Sequence, residues 1–144
     1  MSFRCQLVGV RNTMTADSKG NAMSRDCPKT IIVDFDGTLC KFAFPDVGEY
    51  EPGAREALWI LKNRGYKIVI HSVRTATYWG MEPQAGHIKV IETFLKDNSI
   101  PYDEILLSCD KPIAAAYIDD RGVNHSGDWG ETLKNTLSVL GTDG

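Results

Sequence analysis

Ile31, Ile32 and Val33 form a β-branched run that breaks at once into Asp34-Phe35-Asp36-Gly37-Thr38. Three β-branched residues in a row, with no polar alternation, describe a buried strand. The residues that end it are two carboxylates and a glycine, so this strand has a strongly polar tip.

The rest of the chain repeats the same arrangement. Residues 46–50 read as loop, and Pro52 suits the first turn of a helix whose apolar positions are Ala54, Ala57, Leu58 and Leu61. Gly65 stands where a helix-ending residue in left-handed conformation belongs. Tyr66-Lys67-Ile68-Val69-Ile70 predicts a second strand running into His71-Ser72. A loop with Tyr78, Trp79, Gly80 and Pro83 leads to a helix striped by Ile88, Ile91, Phe94 and Leu95, which Asn98 and Pro101 stop. Glu104-Ile105-Leu106-Leu107 predicts a third strand, and Ala114-Ala115-Ala116-Tyr117-Ile118 a short fourth ending in Asp119-Asp120. A last helix is expected over residues 129–140, with Leu133, Leu137 and Leu140 on one face. Strands alternating with helices define an α/β, Rossmann-like parallel sheet flanked by helices and joined by right-handed crossovers. Ligands of such sheets bind beyond the carboxyl ends of the strands. Asp34 and Asp36, Ser72, and Asp119 with Asp120 all fall there.

The totals place this pattern in one domain. A chain of 144 residues, 42% of them hydrophobic, buries enough surface to fold without staples. A formal net charge of -3 gives no bulk attraction to nucleic acid or membranes. No apolar run is long enough to span a bilayer. Cys5, Cys27, Cys40 and Cys109 lack the C-x-x-C spacing, and His71, His87 and His125 are scattered, so neither zinc nor a disulfide framework is expected. Reduced thiols fit a cytoplasmic protein. Residues 1–29 are polar, have no apolar core of a secretory signal, and read as a flexible extension before a single domain at 30–144.

Carboxylates at strand ends suit phosphoryl transfer, which needs a nucleophile, a proton donor and positive charge around the phosphoryl oxygens. Asp34 is the candidate nucleophile. Asp36, two residues on and on the same side of an extended chain, is the candidate acid and base. Gly37 permits a sharp turn and Thr38 can hydrogen-bond to hold it, which puts both beside a bound phosphate. Several carboxylates facing a phosphate call for a hard cation, and Mg2+ held by Asp34 and one or both of Asp119 and Asp120 answers that need. Lys111 is the candidate to neutralise phosphate and nucleophile, in preference to Lys89 on the helical stretch, and Ser72 offers a hydroxyl donor. Arg74 and Arg121 each follow a strand end closely, and either touch substrate phosphate or pair with a carboxylate. Phe42, Phe44, Tyr50, Tyr78 and Trp79 lie in the two nearest loops, to stack on a base or sugar or simply to pack. His71 reads as a packed histidine and Cys40 as a bystander.

Asp34-Phe35-Asp36-Gly37-Thr38-Leu39 after an apolar strand resembles the first motif of the haloacid dehalogenase superfamily. Ser72 resembles its second motif, and Lys111-Pro112 with Asp119-Asp120 its third and fourth, in the family's order, over residues 30–140. The resemblance implies Asp34 as nucleophile, Asp36 as acid and base, and magnesium bound also through the backbone carbonyl of Asp36. Caps in that family enter after the first motif or between the second and third. Here 38 positions separate Asp34 from Ser72 (72 − 34) and 39 separate Ser72 from Lys111 (111 − 72), which a loop, a helix and a strand consume. A capless member is expected.

The expected activity is hydrolysis of a phosphomonoester, either a small molecule or a nucleotide or polynucleotide end. A phospho-accepting receiver domain and a catalytically idle interaction module are the alternatives. Oligomeric state is not legible in the sequence.

Overall fold

The computed structural model describes residues 29–108 and 110–141. The expected extension at 1–29, apart from Lys29, lies outside the described residues, as do Cys5, Cys27 and Cys109. Four strands, β1 (Thr30–Val33), β2 (Lys67–Ile70), β3 (Glu104–Ile105) and β4 (Ala116–Ile118), form one parallel sheet in the order β3-β2-β1-β4. Three helices accompany them: α1 (Ala54–Asn63), α2 (Met81–Asp97) and α3 (Trp129–Leu140). The fold is therefore α/β, a Rossmann-like parallel sheet flanked by helices, as the alternating pattern predicts.

β1 is the pivot. Val33 pairs with Ile70 on one side and with Ile118 on the other, so the carboxyl ends of three strands stop level with one another. Alternate residues of β1 and β2 face opposite sides. Ile31, Val33, Ile68 and Ile70 turn to the side where Leu58 of α1 and Ile91 and Leu95 of α2 close over them. Burial at this level stabilises by about 1.5–3 kcal/mol for each large aliphatic side chain. Ile32 and Val69 are buried on the opposite side.

The structure trims or extends several elements. β2 begins at Lys67 rather than Tyr66, and β4 at Ala116 rather than Ala114. β3 keeps only Glu104 and Ile105, although the Leu106 amide still bonds the Ile70 carbonyl at 2.8 Å. α1 starts at Ala54 instead of Pro52, and Gly65 closes it at φ 94°. α2 starts at Met81, because Pro83 in its first turn needs no amide partner. α3 has the expected span but another inner face: Thr132 is buried while Leu133 and Leu140 are exposed. The Thr132 hydroxyl, 2.6 Å from His125 Nδ1 and donating to the Asp128 carbonyl, sets that orientation.

Between Asp34 and Ser72 the chain forms only a loop, α1 and β2. From Ser72 to Lys111 the described residues form two short 3-10 turns, α2 and β3, so no cap domain is inserted. Among the described residues no helix is long and apolar enough to cross a membrane.

Candidate active site

Asp34 leaves the end of β1 with its amide bonded to the Ile118 carbonyl of β4 at 2.9 Å. Its Oδ1 accepts from the Phe35 amide at 2.7 Å, and Phe35, fully buried and edge-on to Phe94 at 5.2 Å, anchors the next step of the chain. The chain then turns tightly: the amides of Thr38 and Leu39 both reach the Phe35 carbonyl, and that of Gly37 reaches the Cys40 carbonyl. Gly37 adopts φ 83°, and a Cβ there would stand 2.2 Å from Asp120 Oδ2. Glycine is required twice, for its backbone and for the room it leaves the Asp120 carboxylate.

Asp34 and Asp120 are consequently close neighbours. Burial raises the Asp34 carboxyl from 3.8 to about 6; the Phe35 amide partly offsets this, while Asp120 and then Asp119 push it further up. Asp119 is turned into its own loop, where its Oδ1 accepts from the amides of Arg121 and Gly122. Of the two late aspartates, Asp120 is thus the one that faces Asp34.

Asp36 is held differently. Arg74 Nε donates to its Oδ2 at 2.7 Å and Arg74 Nη2 to its Oδ1 at 2.8 Å, a two-pronged ion pair. Arg74 is 1% exposed and Asp36 8%, so the pair is shut off from solvent. The same guanidinium donates to the carbonyls of Pro45 and Asp46 and lies against the rings of Phe35 and Phe44, 5.5 and 4.8 Å from their centroids. Of the two placements open for Arg74, the structure takes the carboxylate, not a substrate-facing one, because nearly every donor is spent inside the protein. Ser72, 2% exposed, accepts from the Arg74 amide at 3.0 Å and so caps the turn that presents Arg74.

Lys111 is not brought to Asp34. Its ammonium lies over the Tyr117 ring, 4.9 Å from the centroid, and the Tyr117 hydroxyl donates to the Pro112 carbonyl. These contacts tie the segment entering β4 to that ring. The Thr38 hydroxyl, expected to hold the turn, is buried and has no partner among the described residues. An unpaired buried hydroxyl costs about 1–3 kcal/mol, so a polar ligand at this turn would find a waiting group. His71 Nε2 is also buried and unpaired. Cys40 is free, fully buried, and its thiol is pushed up by burial, which suits a bystander.

The residues fit a magnesium ion through their chemistry. Asp34 and Asp120 are hard oxygen donors whose mutual repulsion a cation would relieve. Among the described residues no group of three His, Cys, Asp or Glu side chains stands ready to hold a metal. Asp36 is committed to Arg74 and Asp119 to its own loop. Two carboxylates with water completing the shell is a usual arrangement for magnesium.

The pattern of burial around Arg74 was not legible in the sequence. The nearest signal is the position of Arg74 two residues past a strand end, opposite a loop containing Phe44-Pro45.

Fold and site together define a capless parallel α/β domain with an acidic centre at its strand ends. No protein-family model matches the chain, and no curated protein matches it significantly. Among solved structures the chain is similar to a conserved protein coded by a locus of Bacteroides thetaiotaomicron. The identity is 26%, covering 78% of this chain and 89% of that one, with a TM-score of 0.49. That likeness is too loose to bear on fold or function.

Two outcomes test this geometry. Arg74→Met should cost about 3–5 kcal/mol in urea unfolding by stranding a buried carboxylate, and adding Asp36→Leu should recover much of the loss. A single-mutant cost below about 1 kcal/mol would show the pair to be unimportant to the fold. Because the folded Asp34 carboxyl is raised, its contribution to stability is present below 3.8 and lost as pH rises through about 6. The metal-free protein should therefore lose stability across that window relative to Asp34→Asn, as followed by thermal melts.

Proposed function

We propose that the protein is a magnesium-dependent phosphomonoester hydrolase of the haloacid dehalogenase type, acting through a phosphoryl group carried on Asp34. The observation that supports it most is the Asp34–Asp120 pair at the level ends of β1 and β4, with Gly37 making the room.

An Asp34 carboxylate oxygen attacks phosphorus, and the bond from phosphorus to the ester oxygen breaks. Asp36 gives the departing oxygen its proton. A water then yields a proton to Asp36 and attacks the aspartyl-phosphate, releasing inorganic phosphate and restoring Asp34. Arg74 orients Asp36, and because the pair is buried, Asp36 exchanges protons once one prong of the fork opens toward the site. The Thr38 and Ser72 hydroxyls would donate to phosphoryl oxygens on this reading. Magnesium, when bound by Asp34 and Asp120, supplies the positive charge that lets an anionic phosphate approach. The late motif lysine, Lys111, would have to leave the Tyr117 ring to take part.

That position of Lys111 favours, as the second reading, an idle relative acting as an interaction module. A receiver domain is disfavoured, because β3 ends at Ile105 and is followed by Leu106 and Leu107 rather than an acceptor aspartate.

The purified protein should release p-nitrophenol from p-nitrophenyl phosphate with magnesium and not with excess chelator. Asp34→Asn should fall to background, and Asp36→Asn should lose about 10²–10⁴-fold, most for alkyl phosphates with poor leaving groups. Retained turnover in Asp34→Asn would remove Asp34 from the chemistry.

A further inference from the structure

The loop at 41–50 is held in place along its length. Lys41 and Glu49 are joined by a backbone bond of 2.8 Å, Cys40 bridges to Tyr50, and Arg74 holds the carbonyls of Pro45 and Asp46. Two phenylalanines leave this loop in different directions. Phe44 packs inward on Arg74, Trp79 and His87. Phe42 does not; it is 57% exposed, and its ring meets the guanidinium of Arg121 at 5.6 Å.

Arg121 belongs to the loop after β4, and it directly follows the aspartate that packs against Gly37 beside Asp34. Phe42 and Arg121 therefore stand on two separate loops, Arg121 next in sequence to Asp120 of the Asp34–Asp120 pair and Phe42 in contact with Arg121. Both remain exposed, so their contact adds little to the fold. Among the described residues no carboxylate forms an ion pair with the Arg121 guanidinium. One flat apolar face and one uncommitted planar cation, on fixed loops, are the chemistry that holds a stacked ring and an anion.

We propose that Phe42 and Arg121 bind the alcohol part of the substrate, selecting phosphomonoesters that carry a planar heteroaromatic ring and a second negative charge. This rests on the phosphatase reading for the meaning of the site, and it names the substrate class. The ring lies against Phe42, and the second anion, not the reacting phosphate, meets Arg121. With no cap domain, this fixed wall does the discriminating.

The test is binding, which needs no turnover. Ribose 5-phosphate, adenosine 5′-monophosphate and adenosine 3′,5′-bisphosphate are titrated calorimetrically, with magnesium, into Asp34→Asn protein. The base should tighten binding by about tenfold over ribose 5-phosphate, within the range that stacking supplies. Adding Phe42→Ala should erase that gain and leave ribose 5-phosphate unchanged, while Phe42→Tyr, which keeps the flat face, should preserve it. Adding Arg121→Ala should weaken the bisphosphate alone, by about tenfold, the scale of a charged hydrogen bond. Equal binding of ribose 5-phosphate and adenosine monophosphate, equal losses for both in Phe42→Ala, or no binding of any of the three would overturn the proposal. Ring-selective binding alongside wild-type protein that hydrolyses no ester would sink the phosphatase reading and leave this site standing.

Discussion

The ion pair between Asp36 and Arg74 is the constraint on which the arrangement of the site depends. Taking both charges out of water is costly, and it is repaid only when the geometry is good and the remaining donors are satisfied. Here nearly all are: the guanidinium meets two carboxylate oxygens and two loop carbonyls, with two aromatic rings against it. Three stretches of chain meet in one side chain: the turn after β1, the exit from β2, and the loop at 41–50. Arg74 thus joins the turn after β1 to the loop at 41–50. The lysine alternative at this position would lose the fork that reaches both oxygens at once.

The site works by contrast between its two first aspartates. Asp36 has a dedicated cation. Asp34 has none among the described residues; its neighbours are Asp120 and Asp119, and it is partly buried. On the proposed reading, an external cation and a phosphoryl group are the partners this carboxylate would take. The level ends of β1 and β4, set by the pairing of Val33 with Ile118, bring Asp34 and Asp120 together. Gly37 lets them touch the same space. Sheet register and one missing Cβ are what turn separated carboxylates into a single centre.

Much of this was readable in the sequence, and the misses have physical causes. Ile31-Ile32-Val33 and Ile68-Val69-Ile70 announce strands because their side chains are β-branched and apolar. The end of β3 and the start of β4 are not announced, because pairing to a neighbour decides how much of a short strand forms. The strand-end positions of Asp34, Ser72 and Asp120 follow from the pattern. The partner of Asp36 does not, since Arg74 lies 38 residues away and local reasoning stops at the turn. The placement of Lys111 is not legible for a related reason: motif order gives no information on where the segment entering β4 runs, and here the ammonium lies over an aromatic ring of that strand. On α3 the leucine stripe promised the inner face, yet a hydrogen bond from Thr132 outweighs it.

The most direct measurement is mass spectrometry of protein quenched in acid during turnover of a phosphomonoester with magnesium. The account predicts the added mass of one phosphoryl group in the peptide at residues 30–41, located by fragmentation to Asp34 and absent in Asp34→Asn. Sustained turnover with Asp34 never modified, or with the phosphoryl group on another residue, would contradict it.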